Sequence, residues 1–251
     1  MRSFILAFQF LTILPFPKVE IKPTHFGLAM VYFPVVGLFL GGFLYAIHQL
    51  IRVFLEHFSP ELQAFLILAI LTILTRALHL DGFADFTDGF WGGETKEETL
   101  RMMKDSNIGA FATVGLILLI LGKYLSLAQI VENGSALLII MVFPMISRWG
   151  MVLTCFCTKY PTEKGGLAKA FMESLRWPHI LLATLLTLSI CFALLGKWAP
   201  WIVVCAVIVV TAVRLLASRK IGGITGDVVG ATGEFIELIV LIFWAGLPRT
   251  G

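Results

Sequence analysis

Apolar runs long enough to cross a bilayer recur along the chain at about 26–50, 62–80, 109–131, 136–157, 179–196, 199–217 and 235–248, with polar segments between them. A spanning helix takes about 20 apolar residues, so the pattern predicts an all-α, polytopic transmembrane bundle of about seven spans. The 199–217 run requires Arg214 to snorkel from a helix end. The opening stretch, MRSFILAFQFLTILPFP, resembles a signal peptide in the length of its apolar part, but Pro15 and Pro17 follow it without a small-residue cleavage site. It is too short to span and reads as a retained helix, lying at the interface or tucked against the bundle. With no internal repeat, low-complexity tract or linker, residues 1–251 read as one integral membrane domain.

Composition supports this class. Hydrophobic residues make up 58% of the chain and charged residues 14%, against about 25% charged in soluble domains. A net charge of +3, scattered along the chain, leaves no footprint for nucleic acid. Cys155, Cys157, Cys191 and Cys205 lie in apolar runs at spacings that match no zinc or redox motif. Lysine and arginine collect in three long polar loops, at 81–108, 158–178 and 218–234. The basic-residue rule puts such loops on the cytoplasmic face of the membrane, and an odd number of spans leaves the C-terminus outside.

Against this background, ALHLDGFADFTDGFWGG at 77–93 stands out. If the segment is helical, Asp81, Asp85 and Asp88 share one face, at i, i+4 and i+7, while Phe83, Phe86, Phe90 and His79 take the other. Three close carboxylates repel one another, and a divalent cation offsets that; hard oxygen donors suit Mg²⁺ or Mn²⁺. The alternative is a loop whose aspartates cap helix starts. His79 reads as a structural or proton-relay residue.

Two further polar stretches lie at predicted span ends. In RMMKDSNIGAFA, Asp105 or Ser106 is placed to cap the helix that begins near Gly109. The same N-terminus, with Lys104, Ser106 and Asn107 beside it, suits a phosphate, and Asp105 is a further metal-ligand candidate. In RKIGGITGDVVGATGEFIE, the glycines from Gly222 to Gly233 fit either close backbone approach to a ligand or small-residue helix packing. Asp227 and Glu234, seven apart, share a face if helical. Arg148 falls inside a predicted span, where a charge needs a partner: one of these carboxylates or a substrate phosphate.

Taken together, the segments His79–Asp85 with Asp88–Gly89, Lys104–Phe111 and Gly222–Glu234 resemble the HLDGxAD..DG, KDSxxGAF and GGxTGDxxGA..E segments of the cobalamin synthase (adenosylcobinamide-GDP ribazoletransferase) family. The opening FLTILPFP is also similar, and the likeness runs nearly the whole chain; Phe83 and Phe86, where smaller residues are common, are its clearest departure. The resemblance implies a Mg²⁺-dependent transferase that joins adenosylcobinamide-GDP to α-ribazole or its 5′-phosphate and releases GMP. It further implies that Asp81, Asp85, Asp88, Asp105, Asp227 and Glu234 are candidates to hold metal. Asp81, Asp85, Asp88 and His79 are candidates for the chemistry, and Lys104, Ser106, Asn107, Gly109, Arg148, Gly222, Gly223, Thr225 and Gly226 for phosphate or substrate. Small-molecule substrates, membrane lipid and a second copy of the chain are the expected partners.

Two rivals have discriminating features. A CDP-alcohol phosphatidyltransferase motif continues through an Ala-Arg pair after its first Asp-Gly, with wider spacings, which DGFADFTDG does not follow. A transporter would hold its carboxylates near the bilayer midplane, whereas these fall at predicted span ends.

Overall fold

The computed structural model describes residues 1–17, 20, 22–55, 57–134, 138–163 and 165–247. The basic residue Lys164 and the ends of the predicted 136–157 and 235–248 runs lie outside the described residues. Among those described, the chain forms twelve α-helices and no strand. They are α1 (Arg2–Leu11), α2 (Thr24–Val31), α3 (Phe33–Phe54), α4 (Pro60–Leu74), α5 (Leu78–Gly92) and α6 (Lys96–Met102). Then follow α7 (Ala110–Asn133), α8 (Leu138–Cys155), α9 (Leu167–Ser174), α10 (Trp177–Leu195), α11 (Ala199–Lys220) and α12 (Gly226–Ala245).

By length and apolarity five stretches can cross a membrane, six if the bent pair α4–α5 counts as one span. This makes the chain an integral membrane protein. The expected count of about seven is not reached on this criterion, which treats Trp177–Lys220 as one stretch. That stretch is folded back on itself at Gly196, which has φ +53°. Trp149 Nε1 donates to Thr184 Oγ1, and Arg214 Nη1 donates to the Leu153 carbonyl. Trp149 and Leu153 are one turn apart on α8, whereas thirty residues of straight helix would separate Thr184 from Arg214 by about 45 Å. So α10 and α11 both line α8.

α8 lies at the centre, with nearly every side chain buried, because its sequence, Arg148 apart, is mostly apolar or small all round. α3 approaches it closely through Gly37 and Gly41, where a methyl group would lie 2.4 Å from the Pro144 carbonyl oxygen and 2.2 Å from that of Met141, the small-xxx-small geometry of membrane helices. α1 is tucked in: Leu6, Ala7, Phe8 and Leu11 are buried, the second of the two placements considered for it.

Three boundaries differ from the sequence pattern. The 26–50 run breaks at Tyr32, just ahead of Pro34, into α2 and α3. The 62–80 run is an 89° elbow between α4 and α5. Arg76 and Ala77 occupy the left-handed region there, with φ +53° and +52°, a costly conformation for residues with a Cβ. The N-terminal segment braces it: Ile13 N–H donates to the Leu74 carbonyl and Arg76 Nη2 to that of Gln9. Finally, the Gly-rich stretch expected as a loop is helical from Gly226, because Thr225 Oγ1 caps the Val228 N–H and small residues seat α12 against its neighbours.

Candidate active site at the crossing of α5 and α12

α5 is continuous through Gly82 and Gly89, so the aspartate stripe is helical as its spacing suggests. Phe83, Phe86 and Phe90 are buried on the opposite face. Phe83 and Phe86 pack on Phe235 of α12, with ring centroids 5.1 and 5.9 Å apart. The two helices cross where neither has a side chain. A methyl group at Gly82 would lie 3.1 Å from Asp227 Cα, and one at Gly230 would lie 3.5 Å from His79 Cα. That close approach sets Asp227 beside Asp81 and Asp85. Asp81 is exposed, while Asp85 and Asp227 are half-buried. The charges of Asp227, Asp81 and Asp88 all bear on Asp85. Among the described residues no lysine or arginine pairs with Asp81, Asp85 or Asp227. Nor do any three His, Cys, Asp or Glu side chains form a ready-made metal cage.

Asp88, at the far end of the stripe, does something else. Its Oδ2 accepts the Gly109 N–H at 2.6 Å and its Oδ1 accepts the Ala112 N–H at 2.8 Å. A methyl group at Gly109 would lie 2.6 Å from Asp88 Oδ1. Asp88 thus caps α7 from a different helix, where the helix dipole favours an anion. This bears on three expectations. Asp88 spends one acceptor site of each carboxylate oxygen on α7, which makes it a helix cap before any role toward metal or in the chemistry. The α7 N-terminus at Gly109 is filled by a carboxylate rather than open to phosphate. Neither Asp105 nor Ser106 caps it. Asp105 Oδ1 instead accepts from the Asn107 N–H and side-chain amide, at 3.0 and 2.8 Å, which holds its carboxyl below the usual range. Lys104, Ser106 and Asn107 are exposed around this turn.

The loop that enters α12 is held by protein. The Ile224 N–H donates to the Lys159 carbonyl at 2.8 Å, and a methyl group at Gly223 would lie 2.3 Å from that same oxygen. Gly222 sits at φ +76°. Lys220 Nζ donates to the Phe90 carbonyl, anchoring the loop to the end of α5. Gly223 therefore admits a neighbouring backbone rather than a ligand. Gly226 borders the cavity beside Asp227, and Thr225 Oγ1 contacts Asp227 Oδ2 at 3.3 Å. Tyr160 follows Lys159; burial and then the Asp227 charge push its hydroxyl above the usual range.

Glu234 and Arg148 belong to a separate buried network. Lys123 Nζ of α7 bonds Glu234 Oε2 at 2.5 Å and Glu237 Oε2 at 2.7 Å. Arg148 Nη1 of α8 pairs with Glu237 Oε1, and its Nη2 stands 3.4 Å from His79 Nδ1. Glu234 is thus neutralised by Lys123 instead of joining the aspartates as a metal ligand. The ion-pair partner of Arg148 within the protein is Glu237, which is neither Asp227 nor Glu234. A guanidinium only donates, so a hydrogen bond between the two uses the His79 Nδ1 lone pair. His79 ties α5 to the network. Lys123 and Glu237 were missed by the sequence reading. Their signal was present: charges of opposite sign within apolar runs, each expensive unless paired.

Between α1, α3, α5, α8, α9 and α12 lies a cavity of about 210 Å³ that takes in Asp81, Asp227 and His79, with Phe10, Phe33 and Phe171 among its other walls.

The sequence profile of the cobalamin-5-phosphate synthase family matches residues 3–245. Among curated relatives, the adenosylcobinamide-GDP ribazoletransferase of Chlorobaculum tepidum is 39% identical over 244 residues, covering 96% of this chain and 94% of its own length. That of Syntrophobacter fumaroxidans is 39% identical over 238 residues, with 94% of each chain covered. The Caldanaerobacter subterraneus enzyme of the same name is 32% identical, with 98% of each covered. No solved structure matches the chain. With nearly its whole length matched by the profile and by full-length relatives, the chain belongs to the cobalamin-5-phosphate synthase family.

Proposed function

We propose that this protein is an adenosylcobinamide-GDP ribazoletransferase, joining the corrinoid phosphate to a ribose hydroxyl of α-ribazole, or of its 5′-phosphate, with release of GMP. The observation that carries the reading is the convergence of Asp81, Asp85 and Asp227 without a cation to oppose them. Mg²⁺ keeps several waters and binds through one or two carboxylates plus substrate phosphates, so hard, unpaired oxygen donors without a closed cage fit it. Asp81 and Asp227 would hold that ion, which when bound supplies neutralisation of charge on the diphosphate.

The chain's own residues supply position and a proton acceptor. Asp85, set among three like charges, is placed to receive the hydroxyl proton at a carboxylate oxygen as the oxygen–phosphorus bond forms. Asp227 comes from α12 and Asp81 from α5, so the crossing fixes their separation before substrate arrives. Asp88 holds α7 against the same corner. The basic loops support a cytoplasmic location for this face, where Lys104 and Lys159 lie exposed to solvent and available to phosphate. Exposed apolar side chains on α7, α10 and α11, such as Leu118, Leu182 and Ile208, suit a lipid surround.

The test is direct. Purified protein in detergent, given adenosylcobinamide-GDP and α-ribazole, should release GMP with Mg²⁺ and not after chelation. Vectorial uptake into vesicles without GMP release would replace this reading with transport.

A further inference from the structure

We infer that the cavity between α1, α3, α5, α8, α9 and α12 is the seat of the aromatic base of the acceptor nucleoside, with its ribose at Asp81 and Asp227. This rests on the reading just given and deepens it. At about 210 Å³ the cavity lies below the ~300–1,000 Å³ of pockets that enclose a whole drug-sized ligand. It therefore encloses a part of one, about a bicyclic ring, and cannot admit a corrin macrocycle.

Its lining brings two chemistries together. Asp81 and Asp227 come from α5 and α12, and Phe10, Phe33 and Phe171 are among the apolar residues of the wall. Those rings brace one another: Phe10 and Phe171 centroids are 4.9 Å apart, and Phe33 and Phe171 are 5.5 Å apart. They come from α1, α3 and α9, so the short N-terminal helix and the helix in the 158–178 loop both serve the site. Beside the carboxylates, the polar side chains of the wall are His79 and Cys155, one imidazole and one weak thiol donor, and the rest is apolar.

That distinction selects between the two bases in the reaction. Guanine carries donors and acceptors around its whole edge, and against this wall they would be buried without partners, at a cost for each. The dimethylbenzimidazole of α-ribazole presents two methyl groups and one ring nitrogen, and loses little. With that base against the phenylalanines, the ribose hydroxyls fall at Asp81 and Asp227, beside Asp85. The guanine of the other substrate then lies outside this cavity.

The experiment uses full-length protein in detergent with Mg²⁺, varying each substrate in turn, for wild type, Phe10→Ala and the milder Phe171→Leu. Equilibrium dialysis measures binding of α-ribazole alone by the same three proteins. Stacking on one ring supports a change of about tenfold. So KM for α-ribazole should rise about tenfold in Phe10→Ala, and less in Phe171→Leu, with KM for adenosylcobinamide-GDP unchanged. Dialysis should show the same order. A rise in KM for adenosylcobinamide-GDP instead, or unchanged α-ribazole binding in both variants, overturns the assignment. If wild type shows no turnover with this pair, the proposed function falls, and α-ribazole binding in dialysis still decides the cavity.

Discussion

Replacing Asp88 by Ala should loosen the corner where α5 meets α7 rather than silence a chemical step. Its carboxylate is buried and accepts two backbone N–H groups, from Gly109 at 2.6 Å and Ala112 at 2.8 Å. Hydrogen bonds to a charged group contribute about 1.5–3 kcal/mol each, and alanine strands both donors, so the loss should be about 3–5 kcal/mol. For a chain of this size 1 kcal/mol moves Tm by ~2–4 °C. Asp88→Ala should then melt about 10 °C lower, and Asp88→Asn, which keeps one acceptor oxygen, about half as far. Asp81→Asn and Asp85→Asn relieve like-charge repulsion and should leave Tm unchanged or higher while turnover disappears. Thermal unfolding followed by tryptophan fluorescence in detergent, alongside GMP release at saturating substrate, separates the two behaviours. If Asp88→Ala has the wild-type Tm and no turnover, Asp88 acts on the reacting phosphates and the capping argument is wrong.

Lys123→Met leaves two buried carboxylates short of a cation and should cost about 3–5 kcal/mol; adding Glu234→Gln should recover most of it, and simple addition of the two effects in thermal unfolding would falsify the network. Asp81→Asn and Asp227→Asn act on one metal-phosphate centre, so in a double-mutant cycle on kcat/KM the pair should lose little more than the worse single variant. Losses that multiply would mean that α5 and α12 work separately. Single cysteines at Thr95, Glu163 and Arg219, with the native cysteines replaced, should react with an impermeant maleimide only after cells are opened. Labelling of intact cells at any of them puts that loop on the other side.

Much of this protein is legible from its residues taken in order. Runs of apolar side chains must leave water, and their length makes them membrane helices. The i, i+4, i+7 spacing of Asp81, Asp85 and Asp88 opposite Phe83, Phe86 and Phe90 fixes a helix with one charged face, since both are properties of local geometry. What that geometry does not contain is the partner of each charge. Asp88 belongs to the same stripe as Asp85, yet its oxygens go to α7, because the α5–α7 packing brings the Gly109 and Ala112 N–H groups to it. Asp227 and Glu234 share a helix seven residues apart. One meets Asp81 and Asp85 where Gly82 and Gly230 let two backbones touch; the other, two turns deeper, meets Lys123. The elbow at Arg76 and Ala77 carries no glycine or proline to announce it, and the N-terminal segment that braces it is some sixty residues away in sequence. Helix type and face are set by neighbours along the chain. Which carboxylates stay free for chemistry is set by long-range packing, because a buried charge goes to whatever donor or counter-ion the fold delivers.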